Sequence, residues 1–274
     1  MDVTTFHLDD GTAVPRLGFG TFQLAGDDAY RSVMTALETG YRHLDTAQGY
    51  ANEAEVGRAL ADSRLDRDEV FVTTKIRPSN AAAADVIRST QMSLRELGTD
   101  HVDLLLLHWP AEEVAPLGET LTAMSQLQHD GLTRHLGVSN FPSRMLVRAC
   151  ELAPIVTDQV EHHPYLGVAA IEEVLAARGG FLTAYSPLAR GKVADDDTLR
   201  AIAADHQVSP AQVTLRWMLQ RPGVVTIPKS GTPERIRSNF DVHSFALSDV
   251  EMARIDALEC GGRLIDPDFA PDWD

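Results

Sequence analysis

The stretch that decides the fold runs Tyr41-Arg42-His43-Leu44-Asp45-Thr46-Ala47-Gln48-Gly49-Tyr50. It indicates a short strand that ends at the carboxylate of Asp45, followed by a turn of small residues and the phenol of Tyr50. A carboxylate is rarely buried without a partner, and a tyrosine combines an apolar ring with one polar tip. The stretch therefore predicts a buried strand whose end presents two reactive groups.

Two further predicted strands end at an ionisable side chain in the same way. The strand at residues 70–75 runs into Lys75, and the apolar strand at 102–107 is followed directly by His108. A continuous apolar run of this length is typical of a parallel strand that is buried on both faces. A carboxylate, a phenol, an ammonium and an imidazole are thus predicted where buried strands emerge.

Strand and helix signals alternate along the rest of the chain. Helix starts are marked by capping boxes at Ser209 and Ser248, and Gly40 marks a helix end. We also predict that Asn52 and Thr232 cap helices. The other predicted strands are residues 17–22, 133–138, 155–160, 181–185 and 224–227, and the predicted helices with both bounds are 28–39, 82–97, 117–129, 143–151, 169–177, 195–206 and 209–221.

These elements make eight strand–helix units without a linker between them. We therefore predict an α/β fold, a (β/α)8 TIM barrel with an N-terminal β-hairpin at 6–14 and extra C-terminal helices, as a single domain over residues 1–274. An open doubly wound sheet is the alternative. The Gly18–Gly20 pair lacks the third glycine of a dinucleotide-binding fingerprint, which argues against that alternative.

Composition narrows the class of partner and the cellular compartment. The net charge is −16, which argues against a nucleic-acid surface or an anionic membrane as a general partner. The two cysteines form no framework or metal-binding pattern, and residues 1–5 do not resemble the start of a signal peptide. No stretch has the length of a membrane-spanning helix. We expect a cytoplasmic protein.

The four groups at the strand ends suit proton transfer to an oxygen. Taken singly, Asp45 could cap a turn, Tyr50 could fill a core, Lys75 could reach solvent and His108 could be a core histidine. Together, a cation beside the phenol is expected to lower the phenol's pKa, and a buried carboxylate to keep the lysine charged. The imidazole can orient a carbonyl by a hydrogen bond. The protein groups themselves supply no electrons.

In these residues, and in motifs spread over nearly the whole chain, the sequence resembles the aldo-keto reductase family. Two features are most similar to the bacterial branch that includes the diketogluconate reductases. They are Phe22, after the first barrel strand, and the short loop that follows Pro110. The matching motifs are Gly18-Phe19-Gly20-Thr21, Asp45-Thr46-Ala47 with Tyr50 and Asn52-Glu53, Thr74-Lys75, residues 103–110, 137–141, 159–164 and 185–188, and Ile227-Pro228-Lys229-Ser230 with Arg235 and Asn239.

The resemblance implies NADP-dependent reduction of aldehydes or ketones (small aldehydes, dicarbonyls or keto-sugars) to alcohols by a monomer. Hydride would come from nicotinamide C4 and the proton from Tyr50. The implied catalytic residues are Asp45, Tyr50, Lys75 and His108, and the implied substrate-binding residues are Phe22, Tyr50, His108 and Trp109. The implied cofactor-binding residues are Gly20, Thr21, Ser139, Asn140, Gln159, Tyr185, Ser186, Leu188, Ile227, Lys229, Ser230, Arg235 and Asn239.

Within that set, Ser139, Asn140 and Gln159 would hydrogen-bond the nicotinamide amide, and Tyr185 would stack on its ring. Lys229, Ser230 and Arg235 flank a predicted helix start, a location that favours a phosphate, although an ordinary solvated helix end is the alternative. This cluster favours NADPH over NADH.

Two other readings and two residue roles stay open. A barrel of this family can serve as a non-catalytic NADP(H)-binding sensor or regulatory subunit. A metal-dependent hydrolase barrel is the second alternative, with His43, His108 and His162-His163 as ligands. Arg77 stands where the family often has an aromatic residue beside the substrate, so that it either attracts anionic substrates or faces water. Trp273 is a further candidate to line the substrate pocket.

Overall fold

The computed structural model describes residues 4–273. Residues 1–3, which belong to the stretch compared with a signal peptide, and residue 274, the end of the expected domain, lie outside the described residues.

A parallel eight-stranded sheet forms the centre of the molecule. Its strands are β3 (Phe19–Gly20), β4 (His43–Asp45), β5 (Phe71–Ile76), β6 (Val102–Leu107), β7 (Thr133–Ser139), β8 (Ile155–Glu161), β9 (Phe181–Tyr185) and β10 (Val224–Thr226). Each pairs with the next in chain order. The first and last strands also meet, because Leu17 forms a parallel bridge with Thr226 and the Gly18 N–H donates to Thr226 O. The closed sheet confirms the predicted (β/α)8 barrel.

Ten α-helices surround the barrel in the described chain. They are α1 (Gly26–Thr39), α2 (Glu53–Asp62), α3 (Ala83–Leu97), α4 (Leu117–His129), α5 (Ser143–Leu152), α6 (Ala169–Ala176), α7 (Asp197–His206), α8 (Pro210–Gln220), α9 (Pro233–Phe240) and α10 (Asp249–Asp256). Strand β6 shows how the sheet serves two cores. Leu105 and Leu107 pack against the helices, whereas Leu104 and Leu106 fill the barrel interior, since successive side chains of a strand point to opposite faces.

The predicted hairpin closes the end of the barrel opposite the strand carboxyl ends. Strands β1 (Thr5–His7) and β2 (Ala13–Pro15) are antiparallel, and Gly11 adopts a left-handed φ of 88° in the turn. Phe6 packs on Phe181 at the start of β9, with ring centroids 5.4 Å apart. The hairpin thus lies at the end of the barrel away from the carboxyl ends of the strands. Among residues 4–273, no helix is long and apolar enough to cross a membrane.

Two predicted caps are wrong, and two are confirmed. Ser209 and Ser248 form capping boxes with Gln212 and Glu251. Asn52 and Thr232 occupy the positions before α2 and α9, but neither side chain caps its helix. The amide of Asn52 donates instead to the carbonyls of Thr21 and Leu24, both at 2.9 Å, and its Oδ1 accepts from Thr46. Asn52 therefore holds the loop after β3 against the loop after β4.

Candidate active site

Three parallel strands carry the predicted catalytic residues to one end of the barrel. Asp45 ends β4, Lys75 is the penultimate residue of β5, and His108 follows β6. Tyr50 ends a short 3-10 turn, Gln48–Tyr50, that follows β4. The strands are neighbours in the sheet, so that their carboxyl ends bring these side chains together.

Lys75 is the centre of this group. Its Nζ lies 2.5 Å from Asp45 Oδ1, 2.8 Å from the Thr46 carbonyl oxygen and 3.3 Å from Tyr50 Oη. The ammonium and its carboxylate partner are both buried, at 0% and 2% side-chain exposure, so that their attraction is poorly screened by water. A lysine ammonium has three N–H donors, and these three contacts can use all of them.

The pKa of Tyr50 moves in the direction opposite to the one expected from the sequence. Burial, with the nearby charge of Asp45, raises the pKa of the Tyr50 phenol well above its usual value. The pKa of Lys75 is lowered by burial, which the attraction of Asp45 opposes. Tyr50 is therefore a protonated phenol at neutral pH, with an ammonium beside it ready to stabilise the phenolate.

His108 sits edge-on to Tyr50 at the mouth of the barrel. The ring centroids are 5.5 Å apart at an interplanar angle of 76°. Burial, reinforced by the charges of Lys75 and Arg77, lowers the pKa of His108 to about 3. The imidazole is therefore neutral at neutral pH and can donate one N–H to a carbonyl oxygen. The amide of Asn140 fixes the main chain here by donating to His108 O at 3.0 Å.

A polar network from β7, β8 and β9 adjoins this group. Ser139 Oγ donates to the Gln159 carbonyl at 2.7 Å, and Asn140 Nδ2 donates to Ser139 Oγ at 3.0 Å. Tyr185 Oη donates to Asn140 Oδ1 at 2.7 Å. The side-chain amide of Gln159 crosses the barrel to Asp45 Oδ2, 2.7 Å away. Four predicted nicotinamide residues are thus contiguous with the Asp45–Lys75 pair.

Aromatic rings form the rim. Phe22 is half exposed and packs on Tyr50, with ring centroids 5.1 Å apart. On the other side, Trp109 meets Phe269 and Trp273 of the C-terminal tail at centroid distances of 5.3 and 6.1 Å. Trp109 is mostly covered by these neighbours. Aromatic side chains therefore border the end of the barrel that carries Tyr50 and His108.

The remaining predicted cofactor residues lie along the same end of the barrel. A Cβ at Gly20 would come within 2.9 Å of Ile227 O and 3.7 Å of Lys229 Cβ, so the backbone of β3 and the chain after β10 approach closely there. Thr21 is buried and donates to Asp45 O. Ser186 has a left-handed φ of 50°, and Leu188 directly precedes the 3-10 segment Ala189–Asp195.

The predicted phosphate cluster, in which Ser230 is buried, lies beside this approach. Lys229 and Arg235 are exposed, and Ser230 Oγ accepts a hydrogen bond from the Thr232 N–H at the start of α9. Asn239 is buried on α9. The donor set fits a dinucleotide phosphate, because it combines two cations, a hydroxyl and a helix N-terminus at one edge of the barrel.

Several connecting residues escaped the sequence analysis. Glu53 lies behind Lys75, where its buried carboxylate accepts from Thr74 at 2.5 Å and from Ser93 at 3.1 Å. Glu161 holds tail backbone atoms more than 100 residues away in sequence. Both glutamates belong to motifs that match the family, Asn52-Glu53 and residues 159–164, but nothing in the sequence indicates their partners.

Arg77, the candidate for attracting anionic substrates, donates to Gln48 O at 3.1 Å and is exposed.

Three of the four histidines proposed for a metal, His43, His162 and His163, have other partners. Both ring nitrogens of His43 are in hydrogen-bond contact, with Pro15 O and Thr73 Oγ1. His162 contacts Leu166 O, and His163 pairs with Glu161. Within residues 4–273, no group of three or more His, Cys, Asp and Glu side chains is placed to hold a metal ion.

Comparison with known proteins gives a consistent result. Residues 16–259 match the model of the aldo/keto reductase family. Methylglyoxal reductase DkgB of Escherichia coli O157:H7 is 40% identical over 268 residues, covering 96% of this chain and all of the relative. A crystal structure assigned provisionally as a 2,5-diketo-D-gluconic acid reductase B superposes with a TM-score of 0.95 at 41% identity, over 99% of each chain. A Bombyx mori aldo-keto reductase in complex with NADP gives a TM-score of 0.88 at 32% identity, over 96% and 94%.

Proposed function

The chain belongs to the aldo/keto reductase family, as the sequence motifs predicted, and we propose that it reduces small aldehydes, dicarbonyls or keto-sugars to alcohols with NADPH. One observation carries the proposal: the Lys75 ammonium contacts both Asp45 and Tyr50 beside a neutral His108. The names of two relatives, a methylglyoxal reductase and a 2,5-diketo-D-gluconic acid reductase B, support this substrate range.

The chemistry that NADPH supplies when bound is a hydride for the carbonyl carbon. Tyr50 gives its phenolic proton to the carbonyl oxygen, and its high pKa ensures that the proton is present at neutral pH. The resulting phenolate lies next to the Lys75 ammonium, which stabilises the negative charge. Asp45 keeps Lys75 charged and oriented within the barrel.

His108 orients the carbonyl that Tyr50 protonates. Because its imidazole is neutral, one ring nitrogen carries a hydrogen that can be donated to the substrate oxygen. The edge-on contact with Tyr50 holds the two rings side by side. A carbonyl oxygen between them would receive two hydrogen bonds, one of which delivers the proton.

We assign cofactor binding to the residues that line the other half of this barrel end. Ser139, Asn140 and Gln159 would hold the nicotinamide amide and Tyr185 its ring, while Ser186 and Leu188 would lie along the pyrophosphate. Lys229, Ser230 and Arg235 would bind the 2′-phosphate that distinguishes NADPH from NADH. The exposed positions of the two cations support this preference.

NADPH oxidation at 340 nm with a panel of small aldehydes, dicarbonyls and keto-sugars tests the proposal. We expect turnover by the wild type, and a loss in kcat of about 1,000-fold in Tyr50→Phe with NADPH binding retained. Tyr30→Phe is the matched control, because that phenol lies on the surface and bonds Asp62. Tight NADPH binding without turnover on any carbonyl would instead favour the sensor subunit.

We also propose a single-domain monomer that works in the cytoplasm. The free thiols Cys150 and Cys260 are compatible with a reducing compartment. Light scattering coupled to gel filtration measures the mass in solution, for which 29.9 kDa is expected. A mass of twice that value would contradict the monomer.

A further inference from the structure

Glu161, the last residue of β8, has a fully buried carboxylate with three donors. Its Oε1 accepts from His163 Nε2 at 3.0 Å and from the Leu264 N–H at 2.8 Å. Its Oε2 accepts from the Ile265 N–H at 2.9 Å. Burial opposes ionisation, but these hydrogen bonds together hold the pKa of Glu161 below its usual value. The group is therefore a carboxylate anion that binds the main chain of the tail.

His163 is prepared for this contact by its own neighbour. The Tyr165 N–H donates to His163 Nδ1 at 3.3 Å, which leaves the ring proton on Nε2, the nitrogen that faces Glu161. The Tyr165 carbonyl in turn accepts from the Gly262 N–H at 2.8 Å. The segment after β8 thus meets the tail at two consecutive points, Gly262 and Leu264–Ile265.

Beyond these points the tail folds back on itself and reaches the mouth of the barrel. Trp273 Nε1 donates to Asp266 Oδ1 at 2.9 Å, and the Arg263 guanidinium lies 3.7 Å from the centroid of the Trp273 ring. Phe269 and Trp273 then contact Trp109, the residue after His108. The position of two rim aromatics consequently depends on where residues 264–265 are fixed.

The buried carboxylate of Glu161 favours one defined position of residues 264–265. If the tail moved away, Glu161 would keep its contact with His163 but lose two N–H donors while remaining in the interior, which is unfavourable for a buried charge. Apolar contacts of Phe269 and Trp273 alone would tolerate sliding, because dispersion forces are weakly directional.

We propose that Glu161, oriented by His163, is a positioning residue that fixes the C-terminal tail beside Trp109 and so influences which carbonyl compounds react at Tyr50 and His108. This inference rests on the proposed carbonyl reductase function. Bulky substrates reach Phe269 and Trp273 and gain from a fixed wall, whereas the smallest ones contact only Tyr50 and His108.

Glu161→Gln is the first test, because it keeps the size of the side chain and removes the charge. We expect KM for 4-nitrobenzaldehyde to rise about tenfold while KM for methylglyoxal and the kcat for both change less than about twofold. Hydrogen exchange at the Leu264 and Ile265 amides should accelerate by about 100-fold. Glu251→Gln is the matched control, since Glu251 also pairs with a histidine, His206 at 2.7 Å, but on helix α10.

Ile265→Pro repeats the test from the tail side without altering the barrel. It removes one N–H donor to Glu161 and should reproduce the selective KM increase, even if Glu161→Gln fails to fold. In a full-length variant that carries both Phe269→Ala and Trp273→Ala, Glu161→Gln should add no further change in KM, because the two rings through which it acts are gone.

Failure of the tail-positioning proposal can be distinguished from failure of the proposed carbonyl reductase function. Fast exchange at Leu264 and Ile265 in Glu161→Gln, with equal KM changes for both substrates, would overturn the specificity role. Unchanged exchange would overturn the tail attachment itself. If the wild type reduces no carbonyl, the proposed function fails while the exchange experiment still reports on the attachment.

Discussion

Gln159 Nε2 donates a hydrogen bond of 2.7 Å to Asp45 Oδ2, while the other oxygen of that carboxylate lies 2.5 Å from Lys75 Nζ. Gln159 belongs to β8 and Asp45 to β4, which face each other across the barrel. The carboxylate that supports Lys75 is therefore held from both sides. A residue assigned to the nicotinamide amide also takes part in orienting the proton-transfer group.

Replacing Gln159 by methionine should shift the pH dependence of the reaction. The variant keeps the volume of the side chain but frees Asp45, so that its hold on Lys75 weakens and the pKa of Lys75 falls. We expect kcat to drop about tenfold and the alkaline limb of the kcat–pH profile to move to lower pH. An unchanged limb, with only a weaker affinity for NADPH, would limit Gln159 to cofactor binding.

Asp45→Asn should destabilise the protein by about 3–5 kcal/mol near neutral pH, because it leaves the buried Lys75 ammonium without its counter-charge. Without Asp45 the folded-state pKa of Lys75 falls further, and the unfolded chain then binds more protons up to its pKa of 10.5. Stability of the variant should therefore recover as the pH rises toward 10.5. Urea unfolding between pH 7 and 10 measures this, and a deficit that does not shrink would contradict it.

Arg235→Gln should reduce the preference for NADPH. We expect kcat/KM for NADPH to fall about tenfold and that for NADH to stay within about twofold, as expected for loss of one charge-assisted phosphate contact. Arg237→Gln removes the same charge from an exposed position on the same helix, α9. A similar loss in both variants would point to the overall charge of the helix rather than to a specific contact.

His162→Asn should make the fold less sensitive to acid. Burial lowers the pKa of His162 to about 4, from 6.5 in the unfolded chain, so that the unfolded chain binds more protons in this interval. The wild type should therefore lose roughly 3 kcal/mol of stability through His162 as the pH falls from 6.5 to 4. Asparagine does not titrate and can still donate to Leu166 O. The measurement is the free energy of unfolding of both proteins between pH 4 and 6.5. The same change with pH in both would contradict a lowered pKa of His162.

The barrel, and the meeting of Asp45, Tyr50, Lys75 and His108 at one end of it, could be predicted because the signals are local. The run 102–107 is apolar throughout, and the capping box at Ser209 lies within four residues. The predicted cap at Asn52 is wrong because a short polar side chain can satisfy distant backbone groups as well as its own helix. Asn52 does so at Thr21 and Leu24, 31 and 28 residues away.

The tail attachment and the pKa of Tyr50 lay beyond sequence reasoning for different reasons. The donors to Glu161 are main-chain N–H groups at Leu264 and Ile265, and every residue except proline has one. The pKa of Tyr50 depends on how completely the ring is removed from water, which raises it. The sequence indicates a neighbouring cation, which lowers the pKa, but not the extent of burial.

The residues assigned to proton transfer and most of those assigned to cofactor binding lie in different parts of the chain. The four residues to which we assign proton transfer lie in the span from Asp45 to His108, which contains β5 and β6, whereas the residues assigned to the cofactor, apart from Gly20 and Thr21, come from β7 onward. A crossover within helix α4, between relatives that both keep the glutamine of position 159, is therefore expected to exchange coenzyme preference while leaving the Asp45–Lys75 pair supported. Recombination at that point gives evolution, or an engineer, a modular route to new coenzyme use.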